Sequence, residues 1–158
     1  MRPALHIHLL NKRALIVAGL LVAMHSVSAQ ESIPTEVRQE VLHMYPAMEI
    51  VDAFEEGQDL GVVLLGDGQQ YKIAYFNAAG KWEFTRWSIE RDEVPLLILG
   101  VLDSIMPEFR IESINREQGS EVVRYVFNMS DGAKNELVVL SSEGDLIKKV
   151  ALADLDEE

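Results

Sequence analysis

The sequence contains no cysteine, few histidines and, compared with its acidic residues, few basic ones. The absence of cysteine excludes disulfides, cysteine nucleophiles and thiolate-bound zinc. Three of the four histidines lie at positions 6, 8 and 25, so only His43 remains outside the N-terminal segment. No serine lies in a G-x-S-x-G nucleophile elbow. The sequence therefore predicts a protein with no catalytic residues, no metal site and no cofactor, and hence not an enzyme.

A long apolar run is also missing. The longest stretch, residues 14–24 (ALIVAGLLVAM), is well short of the roughly 20 residues that cross a bilayer as a helix. Arg2, Lys12 and Arg13 precede it, and Val27-Ser28-Ala29 supplies the small side chains that a signal peptidase reads. We therefore predict a Sec signal peptide over residues 1–29, cleaved after Ala29. Residues 30–158 are then a bacterial periplasmic or secreted protein without membrane insertion.

Loss of that segment makes the chain more acidic. It removes three basic residues and no acid, leaving 14 − 3 = 11 Lys and Arg against 26 Asp and Glu, a net charge near −15. Nucleic acid is therefore not an expected partner, because phosphate recognition depends on Lys and Arg. The acids cluster in turns, in the 90–93 connection and in a C-terminal tail, without the spacing of a calcium loop. A small-molecule or calcium binder of the periplasm remains an alternative function.

Two segments of the chain share one pattern of prolines, glycines and apolar residues. Ile33-Pro34, Pro46 and Ile50 recur as Val94-Pro95, Pro107 and Ile111, each 61 positions later. Asp67-Gly68 and Gly80 recur as Asp131-Gly132 and Gly144, each 64 positions later. Two constant offsets that differ by three residues indicate a duplicated unit with an insertion. We therefore predict one domain, residues 30–158, made of repeats over about 33–90 and 94–150.

Each repeat begins with a helix and continues as four strands. An apolar stripe at helical spacing follows each Ile/Val-Pro pair: Val37, Val41, Met44, Tyr45 and Met48, then Ile98, Leu102, Ile105, Met106 and Phe109. Strands are predicted near 49–55, 60–65, 71–76, 81–89, 110–117, 121–129, 135–140 and 145–150, with the Asp-Gly pairs and the later glycines as tight turns. The predicted class is α+β, with two tandem helix-plus-four-strand units. Their sheets either stay separate or join edge to edge into one continuous eight-stranded sheet with the helices on one face.

In these features the chain resembles a known family. The Ile/Val-Pro helix start, the Tyr45-Pro46 or Met106-Pro107 helix end, the Asp-Gly turn and the Asn/Ser-x-x-Gly turn (residues 77–80 and 141–144) resemble those of the tandem PepSY-like proteins. These are small exported bacterial proteins with a β-lactamase-inhibitor-like fold. The resemblance covers residues 33–150. It implies the same pair of units and a non-catalytic binding or inhibitory role.

Aromatic residues on the strands are the candidate functional residues. Tyr71 and Tyr75 share one parity on the third strand, and Trp82 and Phe84 share one parity on the fourth, opposite to Trp87. Since side chains alternate between the faces of a sheet, both faces must carry large rings. Amphipathic aromatics on an uncovered face are typical of protein-binding surfaces. We therefore predict a non-catalytic binding module or inhibitor of an envelope or secreted protein, with five partner-binding residues: Tyr71, Tyr75, Trp82, Trp87 and Tyr125. The alternative is that these rings pack between the two sheets or under a loop.

Overall fold

The computed structural model describes residues 33–152, which form two helices and eight strands. The predicted signal peptide and the acidic end of the tail lie outside the described residues. The helices are α1 (Thr35–Met44) and α2 (Leu96–Ile105). The strands are β1 (Glu49–Glu56), β2 (Asp59–Leu65), β3 (Tyr71–Phe76), β4 (Trp82–Ser88), β5 (Arg110–Gly119), β6 (Val123–Ser130), β7 (Asn135–Ser141) and β8 (Leu146–Ala151).

All eight strands belong to one antiparallel sheet in which each strand pairs with the next along the chain. Strands β4 and β5 join the two groups of four, with Trp87 opposite Arg116. A single 3₁₀ turn, Arg91–Glu93, leads from β4 to α2, and the side chain of Glu93 accepts a hydrogen bond from the backbone N–H of Glu90 (2.8 Å). The predicted α+β class is confirmed, and the two four-stranded units are joined edge to edge into one continuous sheet.

Each helix packs on its own half of the sheet. All ten predicted stripe positions lie in two apolar cores, one beneath α1 and one beneath α2. Thr85 accepts a hydrogen bond from Tyr45 at the end of α1, whereas Trp87, two residues further along β4, packs into the core beneath α2. Side chains two apart on a strand point to the same side, so both helices cover the same face.

The predicted glycine turns lie between strands. Gly68, Gly80, Gly132 and Gly144 have φ of 73°, 73°, 92° and 92°, the left-handed region that glycine enters without steric cost. A β-bulge follows Ile50 on β1 and another follows Ile111 on β5, again 61 positions apart. Strand pairing shows that Leu60 on β2 corresponds to Tyr125 on β6, an offset of 125 − 60 = 65. Compared with the β1–β2 hairpin, the β5–β6 hairpin is therefore four residues longer. The turn after β6 is one residue shorter than the turn after β2. Duplication stays a prediction about origin, and the matching turns and bulges support it.

Candidate functional site

The sheet has one covered and one uncovered face. We call the side that carries α1 and α2 the helix face and the other side the open face. Both described helices lie on the helix face, so no helix among residues 33–152 covers the open face. Antiparallel pairing fixes which residues line it, because directly paired residues point to the same side.

Three aromatic rings form a row across the open face. Phe54 is paired with Gly61, Gly61 with Tyr75, and Tyr75 with Phe84. A Cβ at Gly61 would lie only 2.6 Å from Cζ of Phe54, so the missing side chain leaves the space that this ring occupies. Phe54 meets Tyr75 edge to face with centroids 6.2 Å apart, and Tyr75 stacks on Phe84 at 4.6 Å. These are the favoured geometries of aromatic pairs.

An ion pair lies beside the rings and bridges the two halves of the sheet. Arg86 on β4 donates from Nη2 (2.6 Å) and Nε (3.0 Å) to Oε1 of Glu117 on β5. Its guanidinium carbon lies 5.1 Å from the Tyr75 ring centroid and 5.6 Å from that of Phe84, within cation–π range. Burial opposes the charge, but Tyr75 and Glu117 raise the pKa of Arg86 above its ordinary value. Arg86 therefore stays positively charged at physiological pH.

Tyr75 is the centre of this arrangement and is only 4% exposed. Its hydroxyl donates to Oε2 of Glu56 (3.2 Å) and accepts from Nη1 of Arg86 (3.3 Å). Burial is the main cause that raises the pKa of Tyr75 to about 12. The charge of Arg86 opposes this shift, and Glu56 and Glu117 add smaller contributions in the same direction as burial. The phenol is thus neutral at physiological pH and acts as a hydrogen-bonding group. We call Phe54, Glu56, Tyr75, Phe84, Arg86 and Glu117 the open-face cluster.

The five residues predicted to bind a partner do not lie on one surface. Tyr71, 45% exposed, and Tyr75 lie on the open face. Trp82, Trp87 and Tyr125 pack into the cores of the helix face, with Tyr125 only 5% exposed. None of these placements tests a binding role, but the last three residues do not contribute to an open-face contact.

The predicted common parity of Trp82 and Phe84 is wrong. A bulge between β3 and β4 pairs Tyr75 with Phe84 but Phe76 with Trp82, so the two rings on β4 face opposite ways. Trp82 packs in the α1 core, and its indole Nε1 donates to Thr85 Oγ1 at 3.0 Å. An inserted residue of this kind shifts alternation by one position.

Sequence reasoning missed the charged part of the cluster. Arg86 is two residues from Phe84, so alternation alone would have placed the two side chains together. Glu117 had no such signal, since its pairing with Arg86 depends on the register of β4 and β5 across the intervening helix.

Metal chemistry gains no geometric support, because residues 33–152 contain no group of three or more His, Asp or Glu side chains placed to hold an ion.

Comparison with known proteins gives a fold. No family model and no curated protein matches the sequence. The structure is similar to a DUF2874 family protein from Bacteroides ovatus, with a TM-score of 0.68, 16% identity and coverage of 77% of this chain and 89% of that one. It is also similar to a BLIP-like protein from Bacteroides fragilis, with a TM-score of 0.64, 14% identity and coverage of 78% and 90%. A candidate periplasmic protein from Bacteroides eggerthii is similar with a TM-score of 0.65, 13% identity and coverage of 77% of this chain and 90% of that one.

The chain therefore has the BLIP-like fold, as the resemblance implied. At 13–16% identity, the likeness concerns fold alone. The PepSY-like family name is not confirmed by these neighbours. Within the described residues, no helix is long and apolar enough to cross a membrane.

Proposed function

We propose that the chain is an exported, non-catalytic binding module whose open face contacts an envelope or secreted protein. The open-face cluster is the observation that carries this proposal. Its rings lie on a face that neither helix covers. Arg86 contacts the rings of Tyr75 and Phe84 and is itself paired with Glu117, while Glu56 accepts from the Tyr75 hydroxyl. A partner would therefore gain aromatic and arginine contacts with little loss of side-chain freedom, which is the composition of binding hot spots.

The proposal also includes export of the chain and inhibition of its partner. The N-terminal pattern of basic, apolar and small residues supports export, and one structural neighbour is described as a candidate periplasmic protein. Another neighbour is described as BLIP-like, and for this reason inhibition of an envelope enzyme is the form of binding that we favour. Calcium binding, the alternative, has no comparable support in the geometry of the described residues.

A photo-cross-linking experiment tests the use of the open face. Tyr71, exposed on the open face four residues before Tyr75, is replaced by p-benzoylphenylalanine in the exported chain. Leu97, 61% exposed on α2, is replaced in a matched control. We expect ultraviolet irradiation of intact cells to join the Tyr71 variant to a specific protein, and the Leu97 variant to give no such product. Phe84→Ser should remove the product because it deletes the ring stacked on Tyr75. Equal products from both labelled positions, or a product unaffected by Phe84→Ser, would refute the proposal.

A further inference from the structure

Two cations flank Trp87 on the helix face. Lys72 on β3, Trp87 on β4 and Arg116 on β5 lie in adjacent strands of the sheet, and Trp87 is paired directly with Arg116. Lys72 Nζ is 4.7 Å from the centroid of the Trp87 ring, and the guanidinium carbon of Arg116 is 5.4 Å from it. The site lies at the centre of the sheet, where the α1 half meets the α2 half.

Neither cation is neutralised by an acid. Within residues 33–152 the ion pairs are Arg86–Glu117, Arg110–Glu112 and Lys149–Glu136, so Lys72 and Arg116 take part in none of them. The polar contacts of Lys72 are with the rings of Trp87 and Tyr45, the latter at 5.7 Å. A lysine that contacts aromatic rings and no carboxylate is unusual in a chain with 26 acids and 14 bases.

Arg116 also has an unused donor. Its Nη2 donates to Oε1 of Gln118 at 3.4 Å, but its Nε is buried and has no acceptor among the described residues. A buried N–H without an acceptor costs free energy, and an added acceptor recovers it. The guanidinium fork fits two oxygens of one carboxylate or phosphate, and the Lys72 ammonium adds a second positive charge.

We propose that Lys72, Trp87 and Arg116 form an anion-binding site that takes a small oxyanion, a carboxylate or a phosphate. The oxyanion accepts from Arg116 and Lys72 and reduces the repulsion between these two cations. Cation–π contacts with the Trp87 ring hold both cations beside it. This site goes beyond the proposed function, since it lies on the helix face, opposite the open-face cluster.

The two indole N–H resonances provide a direct measurement, because Trp82 and Trp87 are the only tryptophans in the chain. Trp82→Phe assigns them. The ¹⁵N-labelled protein is titrated with citrate, with inorganic phosphate and with sodium chloride at matched ionic strength. We expect a saturable shift of the Trp87 resonance with citrate or phosphate and none with chloride. The oxyanion that saturates at the lower concentration identifies the preferred chemistry.

Variants separate a site from a general charge effect. Lys72→Gln and Arg116→Gln should each weaken binding by at least about tenfold, since each removes a charged hydrogen-bond donor. Lys72→Arg keeps the charge and should keep the saturable shift. Lys148→Gln makes the same charge change at an exposed position of β8 on the open face and should leave binding unaltered. The absence of a saturable shift in the wild-type protein, or equal binding by wild type and both Gln variants, would overturn the proposal.

Discussion

The two halves of the sheet are alike on the helix face and different on the open face. In both, apolar side chains meet the covering helix, and fully buried Phe76 and Phe127 occupy the two cores. Corresponding rows of the open face have little in common. The first row is Phe54, Gly61, Tyr75 and Phe84, and the second is Asn115, Val126, Val139 and Lys148.

The difference follows from what each face must do. Each helix has to bury its apolar stripe, so each half needs a large apolar surface beneath it. No described helix packs against the open face, and its side chains are free to differ. The second half nevertheless contributes Glu117 to the cluster of the first half. The aromatic half of the open face is thus the region in which a partner contact is expected, and it depends on correct joining of β4 and β5.

The largest expected effect is in the cores, where the halves are alike. Phe76→Ala and Phe127→Ala each remove a ring with no exposed surface and should each lower the free energy of unfolding by about 3–5 kcal/mol. Because one sheet joins the halves, we expect one cooperative transition in urea for both variants. Circular dichroism and tryptophan fluorescence measure it with independent probes. Two separated transitions, with each variant shifting only one, would show that the halves unfold independently.

The next largest effect concerns the Arg86–Glu117 ion pair, which joins the two halves of the sheet. Glu117→Gln removes the charge that pairs with Arg86 and should lower the free energy of unfolding by about 2 kcal/mol, since a largely buried, charge-assisted hydrogen bond is weakened. Glu112→Gln is the matched control, because the Arg110–Glu112 pair lies on the surface and such pairs contribute little. Equal losses in the two variants, measured by urea denaturation, would mean that the Arg86–Glu117 pair does not stabilise the junction.

Patterns local in sequence predicted the fold well, and contacts across strands were predicted poorly. The apolar stripes that begin at Val37 and Ile98 have helical spacing and predicted the two helices. Gly80 and Gly144 predicted turns, because few other residues adopt positive φ. Trp82 was placed on the wrong face relative to Phe84, because a bulge leaves no sequence signal of its own. Contacts such as Arg86–Glu117 depend on register between distant segments, which periodicity does not encode.

A smaller effect should come from substitution of Gly61, which is paired with Phe54. In the other half the corresponding pair is Val126 and Asn115. Gly61→Ala places a methyl group against the Phe54 ring and should displace it from Tyr75, at a cost of about 1–2 kcal/mol in the free energy of unfolding. In Phe54→Ala the ring is absent, so adding Gly61→Ala there should cost less. A double-mutant cycle in urea measures this coupling. Additive losses would mean that the glycine is not required by the ring.

The smallest effect is a pH dependence that belongs to the aromatic half alone. The unfolded chain releases its tyrosine protons near pH 10, whereas the pKa of Tyr75 in the folded protein is raised to about 12. The folded state therefore binds this proton more tightly, so its contribution to stability is complete below pH of about 10 and is lost as the pH rises towards about 12. Tyr75→Phe should flatten the fall in unfolding free energy over this range, as urea denaturation at stepped pH would measure. Tyr71→Phe removes a phenol from the exposed end of the same strand, and an equal flattening in that variant would contradict the assignment to Tyr75.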